Sequence, residues 1–370
     1  MKHHVIPLWS YVADYRKNRA GMLAAVDRVF RSGKLILGSE VSSFEHEFSA
    51  FCHRPHGIGV GNGTDALFLS LKALGVGAGD EVITVPNTAI PTVSAITATG
   101  ARPVFVDIRA DTYLMDTEKI VSVITKKTKV ILPVHLYGQC ADMDTVMKIA
   151  RKYRLAVLED CAQATGARWH GKPAGSFGDI AAFSFYPTKT LGAYGDGGMV
   201  VTGNARLAKK IRELRFYGTR GSYYSYSQGY NSRLDEVQAA LLRYQLARLK
   251  TTLTKRDRLA ARYSHALAKT PLTLTHADPR GVPAWYVFVC RHPKRTSILA
   301  FLKKKGITAN ISYPFPLHTM KAFQFLGYKQ GDFPVTERAS REIFSLPFYP
   351  DLSIADQNRV VDVIKTFFQT

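Results

Sequence analysis

The sequence predicts an α/β protein whose large domain is a three-layer α/β/α sandwich around a mostly parallel sheet. Over the first two thirds of the 370 residues, short apolar runs alternate with helical patterns, which is typical of strands joined by crossover helices. The length suits two domains. The predicted strands are 57–60, 81–85, 102–106, 130–134, 155–158 and 180–185, and the predicted helices between them are 65–74, 91–99 and 144–153.

A smaller C-terminal α/β domain is expected after a long helical run that ends near residue 261. There the pattern predicts strands at 284–291 and 307–311 and helices at 297–305 and 354–368. We therefore expect residues 1–245 to form the N-terminal segment and the large domain, and residues 246–370 to form the small domain.

The composition excludes several classes of protein. Hydrophobic residues make up 46% and charged residues 21% of the chain, which argues against a disordered chain and a membrane bundle. The four cysteines form no C-x-x-C pair, so neither a zinc ribbon nor a disulfide scaffold is indicated. The N-terminus lacks the apolar run of a secretory signal, and the longest uncharged run, 82–101, is broken by prolines. We expect a soluble, cytoplasmic protein without a membrane partner.

The net charge of +21 is the one unusual property. Fourteen Lys and Arg residues lie between Arg206 and Arg262 against four acidic residues, in sequence with a helical pattern. Such a stretch could bind nucleic acid, but solvated helix faces are the simpler interpretation, and no nucleic-acid module accompanies it. We expect no nucleic-acid partner.

Two side chains at predicted strand ends could carry chemistry. Lys189 follows the strand 180–185 and precedes a glycine-rich turn; it is either a solvated charge or an amine suited to Schiff-base chemistry. Asp160 ends an apolar strand where ligands of open α/β sheets bind, so it is either a cap or the partner of a cofactor's ring nitrogen. Glu159 should point to the opposite face and pack structurally.

A third feature is the loop Gly61-Asn62-Gly63-Thr64-Asp65, which follows a predicted strand and opens a predicted helix. Free backbone N–H groups and the helix dipole at such a position can hold a phosphate. The loop is neither a Walker A motif nor a complete G-x-G-x-x-G, which leaves a monophosphate cradle. The segment 52–56 (CHRPH) has no second ligand pair nearby, so no metal site is expected.

These parts occur in the order found in fold type I pyridoxal phosphate enzymes. The chain resembles the nucleotide-sugar aminotransferases of the DegT/StrS type over nearly its whole length. The blocks that carry the resemblance are 36–45 (ILGSEVSSFE), 61–67 (GNGTDAL), 159–164 (EDCAQA), 175–179 (GSFGD), 184–189 (SFYPTK), 230–240 (YNSRLDEVQAA), 313–318 (YPFPLH) and 345–347 (SLP).

The resemblance implies roles for matching residues. Lys189 would hold the cofactor as a Schiff base, Asp160 would pair with the pyridine nitrogen, and Gln163 would lie by the ring. Gly63, Thr64 and Ser184 would bind the phosphate, and Asn231 would reach it from a neighbouring subunit, so a homodimer is implied. Tyr313 and His318 would contact substrate. One position departs from the family: Ala89 stands where many members carry a ring-stacking aromatic residue.

The implied reaction moves an amino group from an amino acid, most often glutamate, through pyridoxal and pyridoxamine phosphate to a nucleotide-linked keto-sugar. The segment 231–236 is similar to that of members acting on 3-keto sugars, which indicates a dTDP-3-keto-6-deoxyhexose or a UDP-3-keto-hexuronate. The alternatives are a 4-keto-sugar aminotransferase, the dehydratase branch and a non-catalytic regulatory protein. A histidine replaces the lysine in the dehydratases, so Lys189 opposes that branch, and intact Asp160 and Gln163 oppose loss of catalysis.

Overall fold

A seven-stranded sheet forms the centre of the protein in the computed structural model, which describes residues 4–369. Its strands lie in the order β1-β9-β8-β5-β4-β2-β3, and β9 alone runs against the others. The sheet is therefore mostly parallel, as predicted. The strands are β1 (His56–Val60), β2 (Glu81–Thr84), β3 (Arg102–Phe105), β4 (Thr128–Ile131), β5 (Ala156–Asp160), β8 (Ile180–Ser184) and β9 (Gly198–Thr202).

Helices cover the sheet. Each predicted crossover helix is present within two residues of its expected start, because the apolar residues recur at helical spacing. The helices of this part of the chain are α1 (Val12–Ser32), α2 (Ser39–Phe51), α3 (Gly63–Ala73), α4 (Ile90–Ala98), α5 (Met143–Tyr153), α6 (Ala205–Leu214) and α7 (Glu236–Leu246). Buried apolar residues of α2 to α7 form one core with the strands, whereas α1 packs on α7 through a separate small cluster.

Two further three-stranded sheets complete the strand inventory of residues 4–369. One contains β6 (Arg168–Trp169), β7 (Lys172–Pro173) and β11 (Gly281–Val282), and the other contains β10 (Thr273–Leu274), β12 (Phe288–Arg291) and β13 (Ile343–Leu346). The remaining helices are α8 (Leu249–Leu267), α9 (Arg295–Lys304), α10 (Pro334–Glu342) and α11 (Ile354–Gln369).

A second hydrophobic core lies among α8, α9, α11 and the sheet of β10, β12 and β13. Ile6, from the N-terminal segment that we grouped with the large domain, packs into this second core and forms a parallel bridge with Ile307. Helices α7 and α8 are separated only by residues 247 and 248. The boundary at 245/246 stays a prediction.

Several local predictions differ from the structure: the short strands β6, β7, β10 and β11 were not expected, and the predicted strand 284–291 is shortened to β12. Strands β9 and β13 were not expected, and 307–311 is not a strand but makes isolated bridges through Ile307 and Asn310. Strand β9 lies between β1 and β8, and all five of its residues are buried. Its sequence therefore lacks the alternation of apolar and polar residues that would have identified a strand after the glycine-rich turn. Pairing partners far along the chain decide these elements.

Some basic residues of 206–262 form ion pairs between helices instead of facing only solvent. Arg215 forms a buried ion pair with Glu45, and Arg243 lies 2.7 Å from Glu40 and 2.6 Å from Glu47. These arginines join α6 and α7 to α2, so this part of the charge excess has a structural use.

Candidate active site

The ends of β5 and β8 and the start of α3 surround a cavity of about 200 Å³. Because β5 and β8 are parallel neighbours, Asp160 and Ser184 reach the same edge of the sheet. The cavity is lined by Asn62, Gly63, Thr64, Leu67, Thr88, Ala89, Pro91, Thr92, Val134, Asp160, Ala162, Gln163, Ser184, Tyr186, Lys189 and Asp196. Six of the seven residues that we predicted to bind a cofactor therefore meet here.

Asp160 is a buried carboxylate at the wall of this cavity. One of its oxygens accepts a hydrogen bond from the Thr92 hydroxyl at 2.8 Å, and the other accepts one from the Ala162 N–H at 3.1 Å. No cation lies within 4 Å of it among residues 4–369. Burial raises the pKa of Asp160 above its usual value, although the two hydrogen bonds and the charge of Lys189 act in the other direction. Such a carboxylate suits a protonated ring nitrogen.

Glu159 points to the opposite face of β5, as predicted from strand alternation. Its two oxygens accept hydrogen bonds from the N–H groups of Gly175, Phe177 and Gly178 and from the ring of His135. Burial raises its pKa, but these donors outweigh burial and hold the pKa below its usual value. Glu159 therefore fixes the 175–178 turn beside the sheet.

The phosphate end of the cavity is formed by the first turn of α3. The Asn62 side chain caps this helix by accepting a hydrogen bond from the Asp65 N–H at 2.8 Å. A Cβ atom on Gly63 would lie 2.6 Å from the Ser184 Cβ, so only glycine allows the helix to approach the end of β8 so closely. The free N–H groups of the first turn and the Ser184 hydroxyl can then hold one phosphate.

Lys189 lies on the loop after β8, where its N–H donates to the Tyr186 carbonyl at 2.8 Å. Its ammonium group lies 4.6 Å from the centre of the Tyr286 ring. The Tyr286 hydroxyl is in turn 3.0 Å from the Thr188 hydroxyl. The amine that we predicted as the Schiff-base group thus lines the same cavity as Asp160.

Gln163 belongs to a network that extends beyond the large sheet. Its carbonyl oxygen accepts a hydrogen bond from the Tyr137 N–H, and its amide donates to the Tyr313 hydroxyl, both at 2.8 Å. The Tyr137 hydroxyl donates to the Ser312 carbonyl. Tyr313 therefore lies next to a cavity residue, although it does not line the cavity itself. Sequence reasoning missed Tyr137, which has a left-handed backbone (φ 59°) that no motif marks.

Besides Tyr313, two predicted residues do not line the cavity of their own chain. Asn231 is exposed and does not line it. His318 is 1% exposed, its Nε2 lies 3.1 Å from Glu337, and its ring packs against Phe333. His318 therefore does not line the cavity, and the substrate contact that we predicted for it stays a prediction.

The loop of Thr88 and Ala89 brings no aromatic ring to the cavity; Tyr186 is the aromatic residue among its lining. His135, Glu159 and Cys161 are near enough to one another to hold a metal ion, but His135 and Glu159 already bond to each other. No helix within residues 4–369 is long and apolar enough to cross a membrane.

The cavity combines three features that fit pyridoxal phosphate: a lysine amine, a buried carboxylate without a cation, and a helix N-terminus held close to β8 by a glycine. Lys189 would bind the aldehyde carbon of the cofactor and Asp160 its ring nitrogen. Its phosphate would be bound by Gly63, Thr64 and Ser184. The fold and the site thus define the class of fold type I pyridoxal phosphate proteins. More narrowly, the chain belongs to the DegT/DnrJ/EryC1/StrS aminotransferase family, whose sequence profile matches residues 17–365.

The relatives agree with this assignment. A dTDP-3-amino-3,4,6-trideoxy-alpha-D-glucose transaminase of Micromonospora megalomicea is 50% identical, with 97% of each chain covered. A pleiotropic regulatory protein of Geobacillus stearothermophilus is 42% identical, over 98% of this chain and 99% of its own. The crystal structure of DesV from S. venezuelae, in complex with a ketimine intermediate, matches over the whole of both chains with 41% identity and a TM-score of 0.98. A putative sugar aminotransferase of Streptococcus pneumoniae, 28% identical with TM-scores of 0.89 and 0.90, has been solved in its pyridoxal phosphate and pyridoxamine phosphate forms.

Proposed function

We propose that this protein is a pyridoxal phosphate-dependent aminotransferase that moves an amino group from an amino acid, with L-glutamate as the expected donor, to C3 of a nucleotide-linked 3-keto sugar. The observation that carries the proposal is the meeting of Lys189, Asp160 and the Gly63–Ser184 cradle in one cavity. We expect the reaction in the cytoplasm, since nucleotide sugars are made there.

The cofactor supplies an electron sink for the carbon that loses or gains a proton. Lys189 would be the attachment point, and its amine, once free, would be the base that removes and returns that proton. Asp160 would keep the ring nitrogen protonated, and the Thr92 hydroxyl, which donates to the Asp160 carboxylate at 2.8 Å, holds that carboxylate in place. Gln163 is oriented by Tyr137 and Tyr313, so its amide can position the ring's 3-hydroxyl.

The sugar is proposed to be a dTDP-linked 3-keto-6-deoxyhexose. The M. megalomicea transaminase, which shares half of its residues with this chain, is named for a dTDP-linked 3-amino deoxysugar. The UDP-linked 3-keto-hexuronate remains the second candidate on charge, because the chain carries a net charge of +21. A regulatory role without catalysis rests on the names of relatives, such as that of the G. stearothermophilus protein.

The test is to offer purified holoprotein matched 3-keto and 4-keto sugar nucleotides with glutamate, and to locate the new amine by NMR. Amination at C3 is the expected result, and dTDP and UDP versions of the substrate separate the two sugars. Preferred amination at C4 would contradict the position. If glutamate leaves the yellow colour of the holoprotein unchanged, the enzyme proposal fails and the result supports a non-catalytic regulatory role.

We also propose a homodimer in which Asn231 of each subunit completes the phosphate site of its partner. Support comes from its exposure and from its absence from the cavity of its own chain. The neighbouring Ser232 hydroxyl lies against the phosphate loop of the same chain, donating to Asp65 at 2.6 Å, so a site within one chain is the alternative to test.

Mixed dimers separate these arrangements. Co-expressed Lys189→Ala and Asn231→Ala chains form one intact site per hybrid dimer if Asn231 acts across the interface. Activity at limiting cofactor should then exceed that of either parent homodimer. If Asn231 serves its own chain, the hybrid has no intact site and no activity is regained.

A further inference from the structure

Lys189 also lines a second cavity, of about 330 Å³, whose lining does not include Asp160. Its walls come from the N-terminal segment, the loop after Lys189 and helix α8. Four basic side chains line it: Lys189, Arg248, Lys255 and Arg256. None of the roles proposed above uses the last three.

Arg256 is the unusual member of this set. It is 2% exposed, and no carboxylate lies within 4 Å of it among residues 4–369. One terminal nitrogen donates to the main-chain carbonyls of Trp285 (3.0 Å) and Tyr286 (3.2 Å), while Nε has no partner. Burial lowers its pKa to about 10, so the guanidinium is still charged at neutral pH. A buried charge without a counter-ion is costly unless a ligand supplies one.

The other two cations of the cavity have carboxylate partners. Lys255 lies 3.1 Å from Asp351, which also pairs with Lys17, and Arg248 lies 3.7 Å from Asp14. Apart from Lys189, one cation of the cavity therefore has no carboxylate within 4 Å. A guanidinium group carries one positive charge and can bind a carboxylate through two nitrogens. It therefore matches a single carboxylate better than a doubly charged diphosphate.

Arg256 and Lys189 approach the same residue. Arg256 donates to the Tyr286 carbonyl, and the Lys189 amine lies over the Tyr286 ring. A carboxylate held by Arg256 would therefore lie in a cavity that the Lys189 side chain also lines.

We propose that Arg256 binds a carboxylate of the dicarboxylic amino donor, and of the 2-oxo acid it becomes, in this second cavity. The proposal rests on the proposed function and deepens it, because it assigns the donor's site to residues outside the cofactor cavity. Arg256 is then the residue that makes a dicarboxylate the preferred donor.

Glutarate, which has both carboxylates of glutamate but no amine, is the probe. Calorimetry on the holoprotein should show glutarate binding weakened about 10- to 100-fold by Arg256→Lys and Arg256→Gln, as expected for loss of hydrogen bonds to a charged group. The KM for glutamate should rise similarly and that for the keto-sugar little. Arg258→Gln, which removes an exposed arginine of the same helix, is the matched control.

A purely structural Arg256 predicts lower melting temperatures with unchanged glutarate affinity, and that result would overturn the proposal. The proposal would also be overturned if the wild-type protein did not bind glutarate. A third contrary result is that dTDP displaces glutarate and itself binds more weakly to the Arg256 variants, because the cavity would then be a diphosphate site. If both variants fail to fold, a crystal of the wild-type protein with glutarate decides, since the carboxylate must lie on Arg256. Failure of the proposed function is distinct: glutamate then does not bleach the wild-type holoprotein.

Discussion

Glu159 and Asp160 are adjacent on β5 and both buried, yet replacing each by its amide should affect stability differently. Glu159→Gln should destabilise the protein strongly, because the carboxylate is surrounded by donors. Asp160→Asn should leave the stability of the cofactor-free protein unchanged or raise it, because burial disfavours the charge that it removes.

The size of the Glu159 effect follows from the hydrogen bonds. The Ala141 N–H donates to Nδ1 of His135 at 3.1 Å, so the ring carries its hydrogen on Nε2 and donates to Glu159. In Glu159→Gln the amide oxygen can still accept hydrogen bonds from the N–H groups of Phe177 and Gly178. The amide NH₂ group then faces two donors, the Gly175 N–H and the His135 ring, to which it cannot bond. Losing two hydrogen bonds to a charged group costs about 3–6 kcal/mol.

The assay is equilibrium unfolding in urea of the cofactor-free proteins, with absorbance of the bound cofactor measured separately. The free energy of unfolding of Glu159→Gln should be lower than that of the wild type by about 3–6 kcal/mol. Asp160→Asn should keep the wild-type free energy of unfolding but lose activity. A Glu159→Gln variant within about 1 kcal/mol of the wild type would refute the hydrogen-bond reasoning, as that is below the contribution of a single such bond.

Gly63→Ala should weaken cofactor retention on dialysis, because its Cβ would meet Ser184 at 2.6 Å; Gly77→Ala, where nothing lies within 4 Å, is the control. Borohydride reduction and peptide mapping should find the pyridoxyl label on Lys189, and a label on another lysine would contradict the assignment. Because the folded pKa of Glu159 is lowered, its contribution to stability should be complete above its unfolded pKa of about 4.3 and be lost as pH falls through the folded value. Urea titrations across that range in wild type and Glu159→Gln check this.

The sequence alone determined the features that depend on neighbours along the chain. Strand alternation separated Glu159 from Asp160, and a loop between a strand and a helix marked Gly63 as part of an anion cradle. The apolar spacing of the crossover segments was sufficient to place their helices, because the period of a helix is a local property.

Only the tertiary structure decided the features that depend on residues far apart in the chain. Gln163 is oriented by Tyr137, 26 residues before it, and by Tyr313, 150 residues after it. Ile6 packs into a core formed mostly by residues of the C-terminal third of the chain. Arg256 is buried, although the sequence of its helix indicates a charged, exposed surface. No local pattern encodes these contacts, since burial and hydrogen-bond partners are set by how the elements pack rather than by the period of any one of them.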